Sequence, residues 1–432
     1  RAMDGNNPSS LVAVNSDILY GIMGGNGIGG AGNLFSYDLT TNTYQVLTPF
    51  SFGSSGYGNG QSNSALLQVG DNLFGTTGNG GANGRGTIYR FNTTTDTYTI
   101  EYSFNGLSPS STLTYDGNDA FIGATEETIF EYEIATSTYT DLYTFDMNTF
   151  EYYSRDLLPL GNDEFMGMMP DFTSAGSLFV FDRSTNQVEH KVLLNQAPLG
   201  EVPSGKLTLH SIGHYYGVAR NGGDFGFHGT LFEYEPGINQ VTVLHSFNGV
   251  DGSFPQALTE GSDGRLYGVT SSDATNNRGV IFSYDIVTDV FNVEFQFDNA
   301  SGNLSFTPLI LGNNGRLYGN TLRGGVNGFG TLFEFDPVTN NFMILHSFDN
   351  NTTGRIPGSL TQATNGKIYG STALGGVNGK GIIYSYELTN SVLMIEHEFL
   401  DGGVGSSKLV QEGILLYGTT GNGGSNNAGI IT

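Results

Sequence analysis

The stretch KIYGSTALGGVNGKGIIYSYE (367–387) carries the features that decide the fold of this chain. A short apolar strand leads into a Gly-rich loop, and IIYSYE (382–387) then alternates apolar and polar residues, as a half-buried strand does. SLTQA (359–363) precedes this stretch and VLMIEHEF (392–399) follows it, each separated from it by an Asn-containing turn. The unit therefore contains four predicted strands joined by hairpin-like turns, and it shows no helical periodicity.

An aromatic or apolar residue followed by glycine recurs nine times along the chain. The glycines of successive steps are 44 to 54 residues apart, a period in the range of propeller blades. One four-stranded sheet cannot bury both of its faces, whereas such sheets packed face to face can, and closure of the array removes exposed sheet edges. The nine steps are Tyr20-Gly21, Phe74-Gly75, Ile122-Gly123, Met166-Gly167, Tyr216-Gly217, Tyr267-Gly268, Tyr318-Gly319, Tyr369-Gly370 and Tyr417-Gly418.

We therefore predict an all-β fold, a single β-propeller domain over residues 1–432 with nine four-stranded units, or eight blades as the alternative. The ninth unit ends at Thr432 inside its predicted third strand, so we expect either further residues or a ring that closes on a short blade. Units three and four lack the Gly-rich loop. The units lie near 11–52, 64–104, 111–145, 155–194, 205–247, 254–297, 305–348, 359–399 and 407–432.

The repeated glycines need a steric explanation, because glycine weakens a strand. We predict ordinary β dihedrals at Gly268, Gly319 and Gly370, with close approach of an adjacent blade as the reason for glycine.

Composition excludes several classes of protein. The net charge is −25, from 41 acidic and 16 basic residues, and such a field repels nucleic acid and anionic membranes. The chain has no cysteine, so neither disulfides nor thiolate metal sites stabilise it. No apolar run approaches the roughly 18 residues that span a bilayer. We expect no membrane insertion by this segment, and the start at Arg1 indicates a processed or trimmed chain.

Four Gly-rich motifs carry a family resemblance: GGANGRGTIY (80–89), GGVNGFGTLF (324–333), GGVNGKGIIY (375–384) and GGSNNAGII (423–431). Together with the LYGTT-like strand before them, they resemble the GloVer tandem repeat of bacterial surface proteins. The resemblance implies extracellular or cell-surface display and a propeller-like array. It supplies no catalytic residues, and it places any anchor outside this sequence.

The Gly-rich loops and the histidines have structural explanations. Gly25–Gly30 fits G-x-G-x-x-G, but a phosphate site needs a following helix and these loops lead into strands. His245, His346 and His397 each stand two residues before the Phe that ends a fourth strand, where other units have Tyr or Phe, so we predict packing positions. His210 and His214 have the spacing of a metal pair on a helix, yet here they flank a turn between strands.

An acidic series recurs at the end of the third strand. One interpretation is a ring of carboxylates that binds Ca²⁺ or a cationic partner, with Asp38, Asp182, Asp285 and Asp336 as the candidate metal ligands. The alternative, which we favour, is that these side chains cap the backbone of the following turn. The remaining members are Glu133, Glu235 and Glu387, with Asn92 in the eighth place.

Strand parity assigns the loops to two faces. In four up-and-down strands, the Gly-rich loops share a face with the connectors between units, and the acidic turns share the opposite face with the Asn-Gly and Asp-Gly turns. Arg265, Arg316 and Lys367 partly offset the acidic face. The candidate ligand-binding residues of the Gly-rich face are Arg85, Arg220, Arg278, Arg323, Arg355 and Lys380.

These observations favour a non-catalytic secreted or cell-surface binding module that recognises a glycan or protein through its loop face. Two alternatives remain: a polysaccharide-acting enzyme with a site at the central opening, and a structural subunit of a surface assembly. We expect no cofactor other than Ca²⁺. No Ser/His/Asp motif, sialidase-type Asp box or H-E-x-x-H motif is present, so no residue is assigned a catalytic role.

Overall fold

The computed structural model consists of β-strands and turns, and no helix occurs among the residues it describes. These residues are 6–14, 17–25, 30–38, 40–41, 43–51, 65–109, 111–125, 127–145, 157–170, 176–194, 200–235, 240–272, 278–303, 305, 307–399, 409–412 and 415–417. Within them, no helix is long and apolar enough to cross a membrane. The chain divides into two compact units, one formed mainly by Arg1–Thr173 and Ser177–His190 and the other mainly by Lys191–Gly423.

The first unit contains four antiparallel sheets, whose strands lie side by side in chain order. Sheet 1 consists of β1 (Asn6–Ala13), β2 (Ile18–Gly25), β3 (Gly30–Asp38) and β4 (Thr43–Ser51). Sheet 2 consists of β5 (Leu67–Val69), β6 (Asn72–Thr77), β7 (Thr87–Asn92) and β8 (Thr97–Ser103). Sheet 3 consists of β9 (Thr114–Tyr115), β10 (Ala120–Ala124), β11 (Thr128–Glu133) and β12 (Thr138–Thr144). Sheet 4 consists of β13 (Leu157–Gly161), β14 (Glu164–Pro170), β15 (Gly176–Asp182) and β16 (Gln187–Leu194), and β16 continues past the end of the unit.

The second unit repeats the same plan. Sheet 5 consists of β17 (Glu201–Leu209), β18 (Tyr215–Asn221), β19 (Thr230–Glu235) and β20 (Gln240–Ser246). Sheet 6 consists of β21 (Ser253–Pro255), β22 (Thr259–Glu260), β23 (Leu266–Ser272), β24 (Val280–Asp285) and β25 (Val290–Gln296). Sheet 7 consists of β26 (Ile310–Leu311), β27 (Leu317–Thr321), β28 (Thr331–Asp336) and β29 (Asn341–Ser347). Sheet 8 consists of β30 (Arg355–Pro357), β31 (Thr361–Gln362), β32 (Ile368–Leu374), β33 (Ile382–Glu387) and β34 (Val392–Glu398). Sheet 9 consists of β35 (Val410–Glu412) and β36 (Leu415–Tyr417).

The predicted all-β fold with repeated four-stranded, blade-type sheets is confirmed. One detail differs in sheets 6 and 8, where the first strand is split into two short pieces that both pair with the second strand. Phe254 and Ile356 have positive φ within the first piece, and this backbone conformation interrupts a continuous strand. That all the sheets belong to a single propeller domain stays a prediction.

A second difference concerns the third strands, which were predicted to be half-buried. Five of the six residues of β33 are buried, and β24 and β28 show the same pattern. The physical reason is that neighbouring sheets pack face to face, so a third strand has apolar contacts on both faces. In β24, for example, Phe282 shares a core with Tyr216 of sheet 5, and Ile281 shares a core with Phe333 of sheet 7.

The recurring glycine lies opposite an aromatic residue of the third strand in the same sheet. Gly268 pairs with Phe282, and a Cβ on Gly268 would lie 2.7 Å from Phe282 Cε1. The φ of this glycine is not positive, so the prediction of ordinary dihedrals is confirmed. The prediction that an adjacent blade makes the close approach is wrong, because the ring comes from the neighbouring strand of the same sheet.

A β-bulge stands next to that aromatic residue in the pairing of third and fourth strands. The register shifts between Ile281 and Phe282, between Leu332 and Phe333, and at equivalent places in five other sheets. Bulges increase the local twist and discourage pairing of a sheet edge with another chain. The fourth strand, which lies at one edge of each of these sheets, therefore carries a feature that disfavours aggregation through that edge.

Hydrogen bonds link the first strands of consecutive sheets. The Thr208 hydroxyl donates to Leu258 O at 3.0 Å, and the Thr259 hydroxyl donates to Leu309 O at 2.7 Å. Thr361 repeats the contact with Leu409 O at 2.9 Å. These bonds, together with the shared apolar cores, fix each sheet against the next within the second unit.

Candidate functional site

The antiparallel order of the strands gives each sheet two different edges. The loop edge carries the connection from strand two to strand three and the connectors between sheets, and the turn edge carries the two remaining hairpin turns. Most of the site residues predicted from the sequence lie at one edge or the other.

The Gly-rich loops have a fixed backbone conformation. All four glycines of the loop 324–330 have positive φ, and so do those of the loops 80–86 and 375–381. The Gly330 N–H donates to Gly324 O at 3.0 Å, and the same bond closes the other two loops. A Cβ on Gly330 would collide with the carbonyl oxygen of Thr321. The glycines are therefore required by the loop itself.

Side chains hold the loops against the fourth strand. The Asn327 amide donates to Phe348 O at 3.3 Å, and the Asn83 amide donates to Phe104 O at 3.1 Å. Each of these loops leads into a strand, in agreement with a structural loop and not with a helix-borne phosphate site. The stretch Gly25–Gly30, which matched G-x-G-x-x-G, lies largely outside the described residues.

The apices of these loops expose apolar side chains. In sheet 5, Phe225 is 58% exposed and Phe227 is 73% exposed. Val326 of sheet 7 is 89% exposed, and Val377 of sheet 8 is 72% exposed. Exposed apolar groups on a fixed backbone are typical of recognition surfaces.

The basic residues predicted for the loop face do lie at the loop edge. Arg85, Arg220, Arg323, Arg355 and Lys380 are exposed, and Arg220 stacks 5.6 Å from the centre of the Phe254 ring. In the part of the chain that the structure describes, no carboxylate lies within ion-pair distance of these five side chains.

Arg278, the sixth candidate, differs from the other five. It is half-buried, and its guanidinium donates to the Asn299 side-chain oxygen at 2.8 Å.

The basic residues near the turn edge are ion-paired instead. Arg265 contacts Asp263 at 2.6 Å and Glu294 at 3.0 Å, and Lys367 contacts Glu387 at 3.3 Å. The remaining pairs are Arg90 with Glu101, Arg183 with Asp116 and Glu131, and Arg316 with Glu334 and Asp336. The two edges thus differ in the availability of their cations, although the chain as a whole is strongly acidic.

The acidic series caps the turns between strands three and four. Asp336 Oδ1 accepts the N–H groups of Val338 at 2.9 Å and Thr339 at 3.3 Å. These hydrogen bonds to the ionised carboxyl outweigh burial and lower its pKa. Asp38, Asp182, Asp285 and Asn92 cap their own turns in the same way.

The glutamates of the series make different contacts. Glu133 accepts the Thr136 hydroxyl, Glu387 accepts the Thr389 hydroxyl, and Glu235 lies 3.7 Å from His214. Within the described residues, no three His, Asp or Glu side chains are grouped so that they could hold a metal ion.

The three repeated histidines occupy equivalent places, as predicted. His245, His346 and His397 stand opposite Leu231, Leu332 and Ile383, beside the bulge between the third and fourth strands. The ring of His245 stacks on Phe291 of the next sheet with centres 3.6 Å apart, as Phe295 stacks on Phe342 at 3.8 Å. The position is therefore one of aromatic packing between sheets.

His210 and His214 have separate partners. His210 Nε2 lies 2.9 Å from Gly264 O of the next sheet, and His214 Nδ1 lies 2.7 Å from Glu233. The two residues flank a tight turn, as predicted, and each imidazole has its own protein partner.

A polar cleft that sequence reasoning missed lies between sheets 3 and 4 at the turn edge. Its volume is about 580 Å³, and its lining includes Asp116, Asp119, Glu133, Asp163 and Arg183. The Arg183 guanidinium crosses from sheet 4 to the Asp116 carboxylate at 2.9 Å and lowers the pKa of that group together with two backbone N–H donors. In the sequence, the feature that could have indicated this cleft is that units three and four depart from the repeat consensus.

The sequence profile of the Gloeobacter/Verrucomicrobia repeat matches residues 1–174 and 202–432. The chain belongs to this repeat family. The GloVer resemblance predicted from the Gly-rich motifs is therefore confirmed across nearly the whole chain. No curated protein sequence matches the chain.

Several solved structures resemble the chain at low similarity. The extracellular domain of a protein described as a one component system of B. thetaiotaomicron has 15% identity and a TM-score of 0.37, over 99% of this chain and 60% of that chain. The extracellular domain of a hybrid two component system of the same organism has 11% identity and a TM-score of 0.40, over 96% of this chain and 54% of that chain. A protein described as a 6-phosphogluconolactonase of Bacteroides uniformis has 17% identity and a TM-score of 0.41, over 76% of this chain and 94% of that chain. This chain thus spans little more than half of the two extracellular domains, and these similarities indicate neither its ligand nor its activity.

Proposed function

We propose that this protein is a non-catalytic binding module, secreted or displayed at the bacterial surface, that recognises a glycan or a protein through its loop edge. The observation that carries the proposal is the loop of sheet 5, whose two phenylalanines, Phe225 and Phe227, are mostly exposed. Large aromatic side chains in water lose the free energy that burial would provide, so their exposure on an ordered loop supports a role in contact with a partner.

The fixed backbone strengthens this argument. Gly222, Gly223, Gly226 and Gly229 all have positive φ, and Gly229 N–H donates to Gly222 O at 3.0 Å. A loop that is already ordered loses little conformational entropy when it binds a partner, so its exposed side chains contribute more of their contact energy to affinity. Aromatic rings suit either a sugar face or an apolar protein patch.

The experiment compares two matched double variants in a screen of glycans and surface proteins. Phe225→Ser with Phe227→Ser removes the apolar groups of the loop edge. Val287→Ser with Val338→Ser removes two apolar groups of the turn edge, which are 88% and 79% exposed in the same unit. We expect the wild type to bind at least one ligand, the first variant to lose at least about tenfold in affinity, and the second to bind like the wild type.

Three results would contradict the proposal. The first is the absence of any ligand in the screen, and the second is equal loss of affinity in both double variants. The third is release of products from a bound polymer, which would support the enzyme alternative.

A further inference from the structure

We infer that the loop edge of the second unit binds an acidic polysaccharide, a polymer whose sugar rings carry carboxylate or sulfate groups. This inference rests on the proposed function and names the ligand class of the same surface. It starts from the difference in ion pairing between the two edges.

Unpaired cations are unexpected in this chain. Acidic residues outnumber basic ones by 41 to 16, so carboxylate partners are abundant. Near the turn edge, every basic side chain that the structure describes forms an ion pair with a carboxylate. Arg220, Arg323, Arg355 and Lys380 at the loop edge are exposed and have no carboxylate within ion-pair distance among the described residues. Their guanidinium and ammonium groups are available for an anionic ligand.

The acidic residues of the same edge have structural roles. Asp349 Oδ1 accepts the N–H groups of Asn351 at 2.9 Å and Thr352 at 2.7 Å. Burial raises the pKa of Asp349, but the Thr352 hydroxyl and these two N–H groups outweigh it and lower the pKa to about 2. Asp298 accepts the Ser301 N–H at 2.7 Å, and Asp251 accepts the Asn248 N–H at 2.9 Å. These carboxylates hold the connectors between sheets in place, and none of the three forms an ion pair with Arg220, Arg323, Arg355 or Lys380 among the described residues.

The repeated geometry favours a polymer over a single small anion. The loops 324–330 and 375–381 have the same four positive-φ glycines and the same closing hydrogen bond, and they stand on neighbouring sheets that share a core. Each exposes a valine at its apex, with Arg323 beside one loop and Lys380 within the other. The two valines are equivalent, and each loop has a cation within it or beside it, so a ligand that extends over successive sheets can contact both an apolar and a cationic group at each sheet.

Charge density separates this ligand from nucleic acid. Duplex DNA carries one charge per about 1.7 Å of axis, and the net charge of −25 opposes such a ligand strongly. A polysaccharide with one carboxylate per sugar ring, such as alginate, has a lower linear charge density than the duplex, and salt screens the long-range repulsion beyond about 8–10 Å. Short-range contacts with the unpaired cations then decide binding.

The test uses two double variants with the same net charge. Arg323→Gln with Lys380→Gln removes two unpaired cations, whereas Arg316→Gln with Lys367→Gln removes two ion-paired cations from the turn edge. The probes are alginate for carboxylates, dextran sulfate for sulfates, and uncharged dextran, with duplex DNA as a general polyanion. Circular dichroism and thermal melting confirm that each variant is folded before binding is measured.

We expect the wild type to bind alginate or dextran sulfate more tightly than dextran, with affinity that falls as salt is added. The loop-edge variant should lose about tenfold or more in affinity, and the turn-edge variant should stay within about twofold of the wild type. Binding to only one of the two charged polymers would identify the anionic group.

The inference is overturned if the wild type binds neither charged polymer, binds DNA as tightly, or loses equal affinity in both variants. Binding of uncharged dextran or of a protein that depends on Phe225 and Phe227 but not on Arg323 and Lys380 would overturn it while leaving the proposed function intact.

Discussion

Gly319 pairs with Phe333 across β27 and β28, and the ring of Phe333 covers the space where a glycine side chain would be. A Cβ on Gly319 would lie 2.9 Å from Phe333 Cε2 and closer still to Cζ. The same pairing joins Gly75 to Tyr89 and Gly370 to Tyr384. The repeat therefore conserves a cross-strand pair in which the absence of one side chain makes room for the other.

Replacing Gly319 with Ala should destabilise the protein by overpacking. The added methyl group would meet the fully buried Phe333 ring on one side and Leu309 Cδ2, at 2.8 Å, on the other. We expect a loss of about 1–3 kcal/mol in the free energy of unfolding, measured by thermal or urea denaturation.

Gly106 provides the control for that substitution. Its φ is not positive, and nothing lies within 4 Å of the position of a Cβ, so Gly106→Ala should be neutral within about 0.5 kcal/mol. The double variant Gly319→Ala with Phe333→Leu should show coupling, because the smaller side chain relieves the clash. Equal effects of the two alanine substitutions would contradict the cross-strand explanation.

Asp336 should tolerate Asn better than Ala. An Asn side chain retains the oxygen that accepts the N–H groups of Val338 and Thr339, and Asn92 already fills the equivalent place in sheet 2. Asp336→Ala removes the cap and should cost about 1 kcal/mol of stability, whereas Asp336→Asn should cost less than half of that. Thermal melting with and without Ca²⁺ checks the alternative, since a metal site would give a Ca²⁺-dependent stability that Asp336→Asn abolishes.

His346 should make stability depend on pH in the mildly acidic range. Burial lowers the pKa of its imidazole, and the charge of Asp349 opposes only part of that effect. Because the unfolded chain, with a pKa of about 6.5 for His, binds the proton more readily, stability is lost as pH falls below that value. Asp349 stays ionised in this range, since its pKa is about 2.

His346→Phe should therefore lose less stability than the wild type between about pH 7 and pH 5. Phe also preserves the aromatic packing, since Phe295 occupies the same place in sheet 6, so any ligand binding should be unchanged. Urea denaturation across this pH range measures the difference. A steeper pH dependence in His346→Phe than in the wild type would show that the imidazole is stabilised in its charged form.

The sequence was sufficient for the strand repeat and for the two edges, because both follow from local patterns. Alternating residues, turn residues and the period of about 50 residues predict the hairpins and their order. The packing role of His245 and the caps at Asp38 and Asp285 also followed from comparing equivalent places in different units.

Contacts that depend on the register of two strands or on the packing of two sheets could not be predicted in this way. The ring that covers Gly268 belongs to Phe282, fourteen positions later in the chain, and only the register of two strands brings them together. The ion pair between Arg183 and Asp116 joins two sheets whose sequences depart from the repeat, so no comparison with other units could reveal it. The unpaired state of Arg323 likewise depends on which carboxylates lie nearby in space.

The cations of the loop edge are available to a ligand, whereas those near the turn edge are held in ion pairs. Modification with phenylglyoxal, followed residue by residue with mass spectrometry, tests it without any ligand. Arg220, Arg323 and Arg355 should react first, and Arg183 and Arg265, which are 23% and 21% exposed and ion-paired, should react slowest. Equal rates of modification at Arg265 and Arg323 would show that the cations of the two edges do not differ in their availability.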